Sequence, residues 1–112
     1  MIDWAQARQL QDDVGKAEMA EVVELFLSEV DDAMETLQNS YDAMPAEDRS
    51  ASFHFLKGCA SNLGFKTFGD QCSLGEEITK GGGVPDFEIS DLTAIYASSK
   101  QQFKGQYHAE LG

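Results

Sequence analysis

Basic side chains are scarce in this chain of 112 residues, where eight lysines and arginines stand against twenty aspartates and glutamates for a formal charge of −12. So acidic a surface repels phosphate backbones and anionic bilayers, which argues against nucleic acid and membrane as partners. No apolar run approaches the ~18 residues needed to span a bilayer. The start of the chain, with Asp3 and Trp4, lacks the basic residues and apolar stretch of a secretory signal. A cytoplasmic protein is expected. Cysteine is limited to Cys59 and Cys72, which have no CxxC or HxxxH companion, so zinc-site spacing is missing. Both are expected to be buried, unpaired thiols. Valine, isoleucine and threonine are sparse, and no window alternates with the period of two that marks a half-buried strand.

Helical periodicity fills the space those absences leave. Asp3 followed by Gln6 resembles a capping box and predicts a short helix over 3–13 carrying Trp4, Ala7 and Leu10. Met19, Val22, Val23, Phe26, Val30, Ala33, Met34, Leu37, Tyr41 and Met44 then recur at steps of three and four, a long amphipathic helix over 16–43 that Pro45 stops. A third helix is expected over 48–63, ended by Gly64 in a left-handed conformation. The fourth, over 66–80, carries Phe68, Cys72, Leu74 and Ile78, with Gly69 and Gly75 suited to close packing on a neighbour. Gly81, Gly82, Gly83 and Pro85 make a hairpin connection. The last helix, over 87–105, carries Leu92, Ile95, Tyr96, Ser99 and Phe103 and is expected to fray near Gly105, leaving His108 in a solvated tail. One all-α domain follows: an antiparallel up-down four-helix bundle with an additional short N-terminal helix covering one end.

Residues 54 to 64 read His-Phe-Leu-Lys-Gly-Cys-Ala-Ser-Asn-Leu-Gly. At about 100° per residue, His54, Lys57, Gly58 and Ser61 share one wall of the helix, while Ser52, Leu56, Cys59 and Leu63 cluster at the opposite pole. The histidine therefore points away from the core. Glycine inside a helix costs about 1 kcal/mol relative to alanine, so Gly58 beside an outward imidazole implies clearance for a docking partner. Ser50, Ala51, Lys57, Gly58 and Ser61, the neighbours on that face, include no metal ligand. The convex middle of a bundle helix also offers no cleft for general-base chemistry on a small substrate. A nucleophilic imidazole that accepts a phosphoryl group fits these neighbours better. Lys57 would set an ammonium near the phosphate oxygens, Ser61 would donate a hydrogen bond, and Gly58 would admit the protein bearing the other reacting group. Phe53 and Phe55, about 100° to either side of His54, are expected to be half-buried and to form an apolar rim for that partner. Asp31, Asp32 and Glu35 are read as a solvated acidic face.

The segment resembles the histidine-containing phosphotransfer (HPt) domains of bacterial phosphorelays, whose pattern is H-x-L-K-G-x-x-x-x-x-G. His54, Leu56, Lys57, Gly58 and Gly64 match every fixed position. Leu63, Phe68, Cys72, Leu74 and Glu76 are similar to the helix after the motif, and Gly15, Met19, Val22, Leu25 and Phe26 to the first long helix. One departure is Phe53, where many relatives have a small residue. The resemblance implies that His54 takes a phosphoryl group from a receiver-domain aspartate and passes it to a response regulator, with Lys57 stabilising the phosphate and Gly58 giving clearance. It also implies a monomer with no metal of its own, magnesium being held by the receiver, and a hybrid sensor histidine kinase as the other partner. The chain itself has no kinase signature, since the run Gly81 to Gly83 lacks the lysine and hydroxyl residue that cradle a nucleotide phosphate. The alternative is a non-catalytic adaptor that binds a kinase or receiver without carrying phosphate. Such an adaptor has no use for the intact His54, Lys57 and Gly58.

Overall fold

Glycine and proline decide where the helices turn. In the computed structural model, which describes residues 1–112, α1 spans Trp4–Val14, α2 Lys16–Ser40, α3 Ala46–Leu63, α4 Lys66–Lys80 and α5 Ile89–Leu111. The Asp3 carboxylate caps α1 by accepting from the Gln6 N–H at 3.3 Å. Gly15, at φ +93°, turns the chain into α2. That helix ends earlier than its apolar periodicity suggests, because its last turn tightens into a 3-10 segment, Tyr41–Ala43. Pro45 forces the residue before it out of helical geometry, and Met44 is extended at ψ 137°. The same proline, at φ −63°, starts α3 at Ala46 instead of residue 48. Glu47 and Asp48 in its first turn complement the helix dipole.

The four long helices form the antiparallel bundle, and α1 lies across one end. Met19, Leu27 and Leu37 of α2, Leu56 and Leu63 of α3, Phe68 and Cys72 of α4, and Leu92 and Phe103 of α5 are all buried in one core. Trp4 stacks on Phe103 with centroids 5.0 Å apart, fixing α1 to α5. The N-terminal arm is tied to the junction of α3 and α4: the Asp3 N–H donates to the Gly64 carbonyl at 2.6 Å and the Lys66 N–H to the Met1 carbonyl at 3.1 Å. Gly64 has φ +81°, so its left-handed stop and this backbone docking occupy the same residue.

One expectation is corrected here. The last helix does not fray at Gly105 but continues to Leu111, which is 5% exposed. Burying a leucine stabilises by roughly 1.5–3 kcal/mol, more than the roughly 1 kcal/mol an interior glycine costs. The Gln11 amide also donates to the Leu111 carbonyl, and Arg8 pairs with Glu110 at 2.7 Å. His108 is exposed, as expected, but helical. Asp31, like Asp32 and Glu35, is exposed as expected, but it also has partners on a neighbouring helix. It accepts from the Tyr96 hydroxyl at 2.6 Å and pairs with Lys100 at 3.0 Å, clamping α2 to α5. Cys59 and Cys72 are both buried and unpaired, and burial pushes the Cys72 thiol up to about 12. No helix is long and apolar enough to cross a membrane.

Two glycines separate positive φ from mere helical cost. Gly64→Ala should lose about 2–4 kcal/mol, because its left-handed backbone is strained for alanine and the new Cβ would run into the Asp3 carbonyl. Gly105→Ala, in open helix with nothing within 4 Å of the added Cβ, should gain about 0.5–1 kcal/mol. Thermal or urea unfolding of the two variants checks both signs.

Candidate active site

The middle of α3 presents His54 outward with its side chain 69% exposed, and one turn along lies Lys57, 36% exposed. A carboxylate from the next helix joins them. Glu76 of α4 accepts from His54 Nδ1 at 2.8 Å through Oε2 and pairs with the Lys57 ammonium at 2.6 Å through Oε1. An ionised carboxylate can only accept, so Nδ1 carries the proton and, in the neutral ring, Nε2 keeps its lone pair. That nitrogen faces solvent on the exposed imidazole. The arrangement is an exposed imidazole whose tautomer is fixed by a neighbour, with a cation one helical turn away.

Glu76 holds its proton weakly for identifiable reasons. Its carboxyl lies below the usual carboxylate range, the hydrogen bond from Lys57 being the largest cause. Partial desolvation opposes this, and the hydrogen bond from His54 and the charges of both neighbours add to it. The group is therefore ionised at neutral pH, the state the tautomer assignment requires.

The other residues singled out in the sequence divide. Gly58 is exposed, and a Cβ there would meet nothing within 4 Å, so the surface beside the imidazole is open. Gly105 is equally open, so an exposed helical glycine alone does not mark a site; what sets Gly58 apart is its place beside His54. Ser61 is exposed on the same wall, lining with Lys57, Ser73 and Lys66 a shallow groove of about 280 Å³. Phe55, 42% exposed, does form an apolar edge beside the imidazole. Phe53 does not, and its expected place in the rim is corrected: it is fully buried, packed between Tyr41 and Phe87 with ring centroids 6.2 and 6.0 Å away. The rotation of about 100° from His54 carries it under the adjacent α4, which a helical wheel of α3 alone does not contain. No group of three or more histidine, cysteine, aspartate or glutamate side chains is gathered closely enough to hold a metal ion.

The Hpt domain family model matches residues 21–101, a span that includes all of α3 and α4. The chain belongs to the Hpt domain family. Among curated proteins, this Hpt domain is similar to the phosphorelay intermediate protein YPD1 of Candida albicans, with 27% identity over 119 residues covering all of this chain and 65% of that protein. The chain thus spans just under two thirds of that relative's length. No solved structure matches it.

In the sequence of this Hpt domain Glu76 stands only within the family likeness, with no role visible from its neighbours. Its site partner is 22 positions away in the chain, outside any single-helix window. A carbon-13 carboxyl titration should show Glu76 with a midpoint below the usual carboxylate range. Lys57→Ala should move that midpoint up, and further than His54→Ala does, matching the order of causes. The sign for stability follows: the ion pair contributes at neutral pH, and its contribution falls away as pH drops below the ordinary carboxylate range and through the depressed midpoint. A midpoint unmoved by Lys57→Ala would show that the ammonium and carboxylate are not paired in solution.

Proposed function

We propose that this Hpt domain is a phosphoryl carrier that accepts the group on Nε2 of His54 from a receiver-domain aspartate and passes it to the aspartate of a response regulator. The observation that carries this reading is the solvent-facing imidazole whose Nδ1 is engaged by Glu76 at 2.8 Å. In the forward step the Nε2 lone pair attacks the phosphorus of the aspartyl phosphate. The nitrogen–phosphorus bond forms, the bond from phosphorus to the acyl oxygen breaks, and the aspartate leaves as a carboxylate. The ring acquires a positive charge that Glu76 faces directly. Onward transfer reverses the sequence, with the second aspartate as attacking group.

Lys57 supports this exchange by offering an ammonium to the phosphoryl oxygens, and Gly58 by leaving space for the partner's reacting loop. The phosphate has to arrive from a partner, since a carrier of this kind has no kinase activity of its own. Magnesium belongs to the receiver in this reading, with a hybrid sensor kinase upstream and the carrier a cytoplasmic monomer. Similarity to a protein described as a phosphorelay intermediate supports the same assignment.

Mixing the protein with a phosphorylated receiver should move label onto it as acid-labile, base-stable phosphate. His54→Ala should abolish that transfer, and label that persists in the variant would refute the assignment of His54. Lys57→Ala should slow transfer by roughly tenfold or more while leaving the fold intact, since an exposed ion pair contributes little to stability. Gly58→Leu should keep or raise the melting temperature, because glycine is unfavourable inside a helix and a Cβ there meets nothing within 4 Å, yet lose exchange by blocking the partner.

A further inference from the structure

His54 and Glu76 are each preceded by a residue that touches its counterpart. The side chain before the histidine is Phe53, fully buried, and the residue before the glutamate is Gly75, buried in the middle of α4. A Cβ built on Gly75 would stand 3.0 Å from Cδ1 and Cε1 of the Phe53 ring and 3.1 Å from Cδ2. Tyr41 and Phe87 hold that ring from other directions, at centroid distances of 6.2 and 6.0 Å, so it has little room to retreat. Glycine inside a helix is locally unfavourable, and Gly75, unlike Gly58, has an internal reason to be there.

We propose that Phe53 and Gly75 are a matched large and small pair that sets the separation of α3 and α4 at the site, and that they act as positioning residues for the hydrogen bond between His54 and Glu76. This rests on the carrier reading and adds to it what holds the imidazole in its reactive form. The logic is geometric. The contact lies one residue before each site residue, on the same two helices, so a displacement there is passed almost directly to the imidazole and the carboxylate. From 2.8 Å the bond can lengthen by only about half an ångström before it weakens steeply. Gly75 supplies the space that the Phe53 ring needs. Exchanging large for small on one helix therefore calls for the reverse exchange on the other.

The test reads the imidazole directly, with no phosphate present. Nitrogen-15 shifts of His54 in the free protein report the tautomer, and the wild type should show the Nδ1–H form in clear excess. Gly75→Leu should shift the population toward the form seen in an unconstrained imidazole and slow transfer from a phosphorylated receiver by roughly tenfold or more. Phe53→Ala/Gly75→Leu, which returns the volume to the other helix, should restore the wild-type tautomer and bring transfer back to within about threefold. A folded Gly75→Leu with unchanged tautomer and unchanged transfer would overturn the proposal, as would a double variant that regains its melting temperature without regaining the tautomer. If Gly75→Leu does not fold, Gly75→Ala gives the same reading, because its Cβ already requires the ring to give by a few tenths of an ångström; a fully retained Nδ1–H excess and transfer rate there also overturn it. Failure of the wild type to take phosphate from any receiver would sink the carrier reading while leaving the tautomer result to stand on its own.

Discussion

The Glu76 carboxylate reaches two residues of another helix at once, His54 at 2.8 Å and Lys57 at 2.6 Å. This is possible only where α3 and α4 run unusually close. Small residues permit the approach at two levels: a Cβ on Gly69 would come within 3.3 Å of the Ala60 Cβ, and one on Gly75 within 3.0 Å of Phe53. The chain spends helix propensity at both places in exchange for proximity. Tyr41 and Phe87 pack on the Phe53 ring and leave it little room to yield, so the ring limits how closely α3 and α4 can approach. Spacing is thus bounded from both directions, and the ion pair sits where the bounds meet.

The rest of the molecule serves to keep α3 in that position while exposing its outer wall. Pro45 starts the helix and Gly64 ends it, each using a backbone conformation that its residue type favours. The N-terminal arm docks on the carbonyl of Gly64 and the chain after it, so the end of α3 is anchored by backbone hydrogen bonds as well as by buried leucines. On the opposite side, Asp31 accepting from Tyr96 and Lys100 ties α2 to α5. With these contacts in place, the wall carrying His54, Gly58 and Ser61 faces outward without requiring the loops to be ordered around it.

Periodicity made the helices legible, because steps of three and four residues are a local property of the chain. The outward direction of His54 and the inward direction of Leu56, Cys59 and Leu63 follow from the same rotation and hold in the structure. What local periodicity misses is the neighbouring helix. Phe53 looked like a rim residue because a wheel of α3 shows it at the flank, but that flank is where α4 packs. Glu76 had no visible role for the same reason, since only the tertiary crossing brings it to His54. The extent of α5 was misjudged differently: the local cost at Gly105 was visible, whereas the compensating burial of Leu111 against the rest of the fold was not. Gly75 was recognised as a close-packing glycine without the identity of the side chain it admits.

Charge balance at the site is consistent with both forms of a carrier. Before transfer, Glu76 is shared between the imidazole N–H and the Lys57 ammonium, so the neutral ring stands beside a compensated pair. A phosphoryl group on Nε2 adds about −1.5 to −2 charge while leaving the ring cationic. Lys57, already within one turn, can then turn toward the new oxygens, because the carboxylate it leaves still faces a positive partner. On a protein with a formal charge of −12, an added anion with no local cation would meet only repulsion. On the proposed carrier reading, the three residues would exchange partners without any of their charges being stranded, which suits a carrier that both accepts and releases the group.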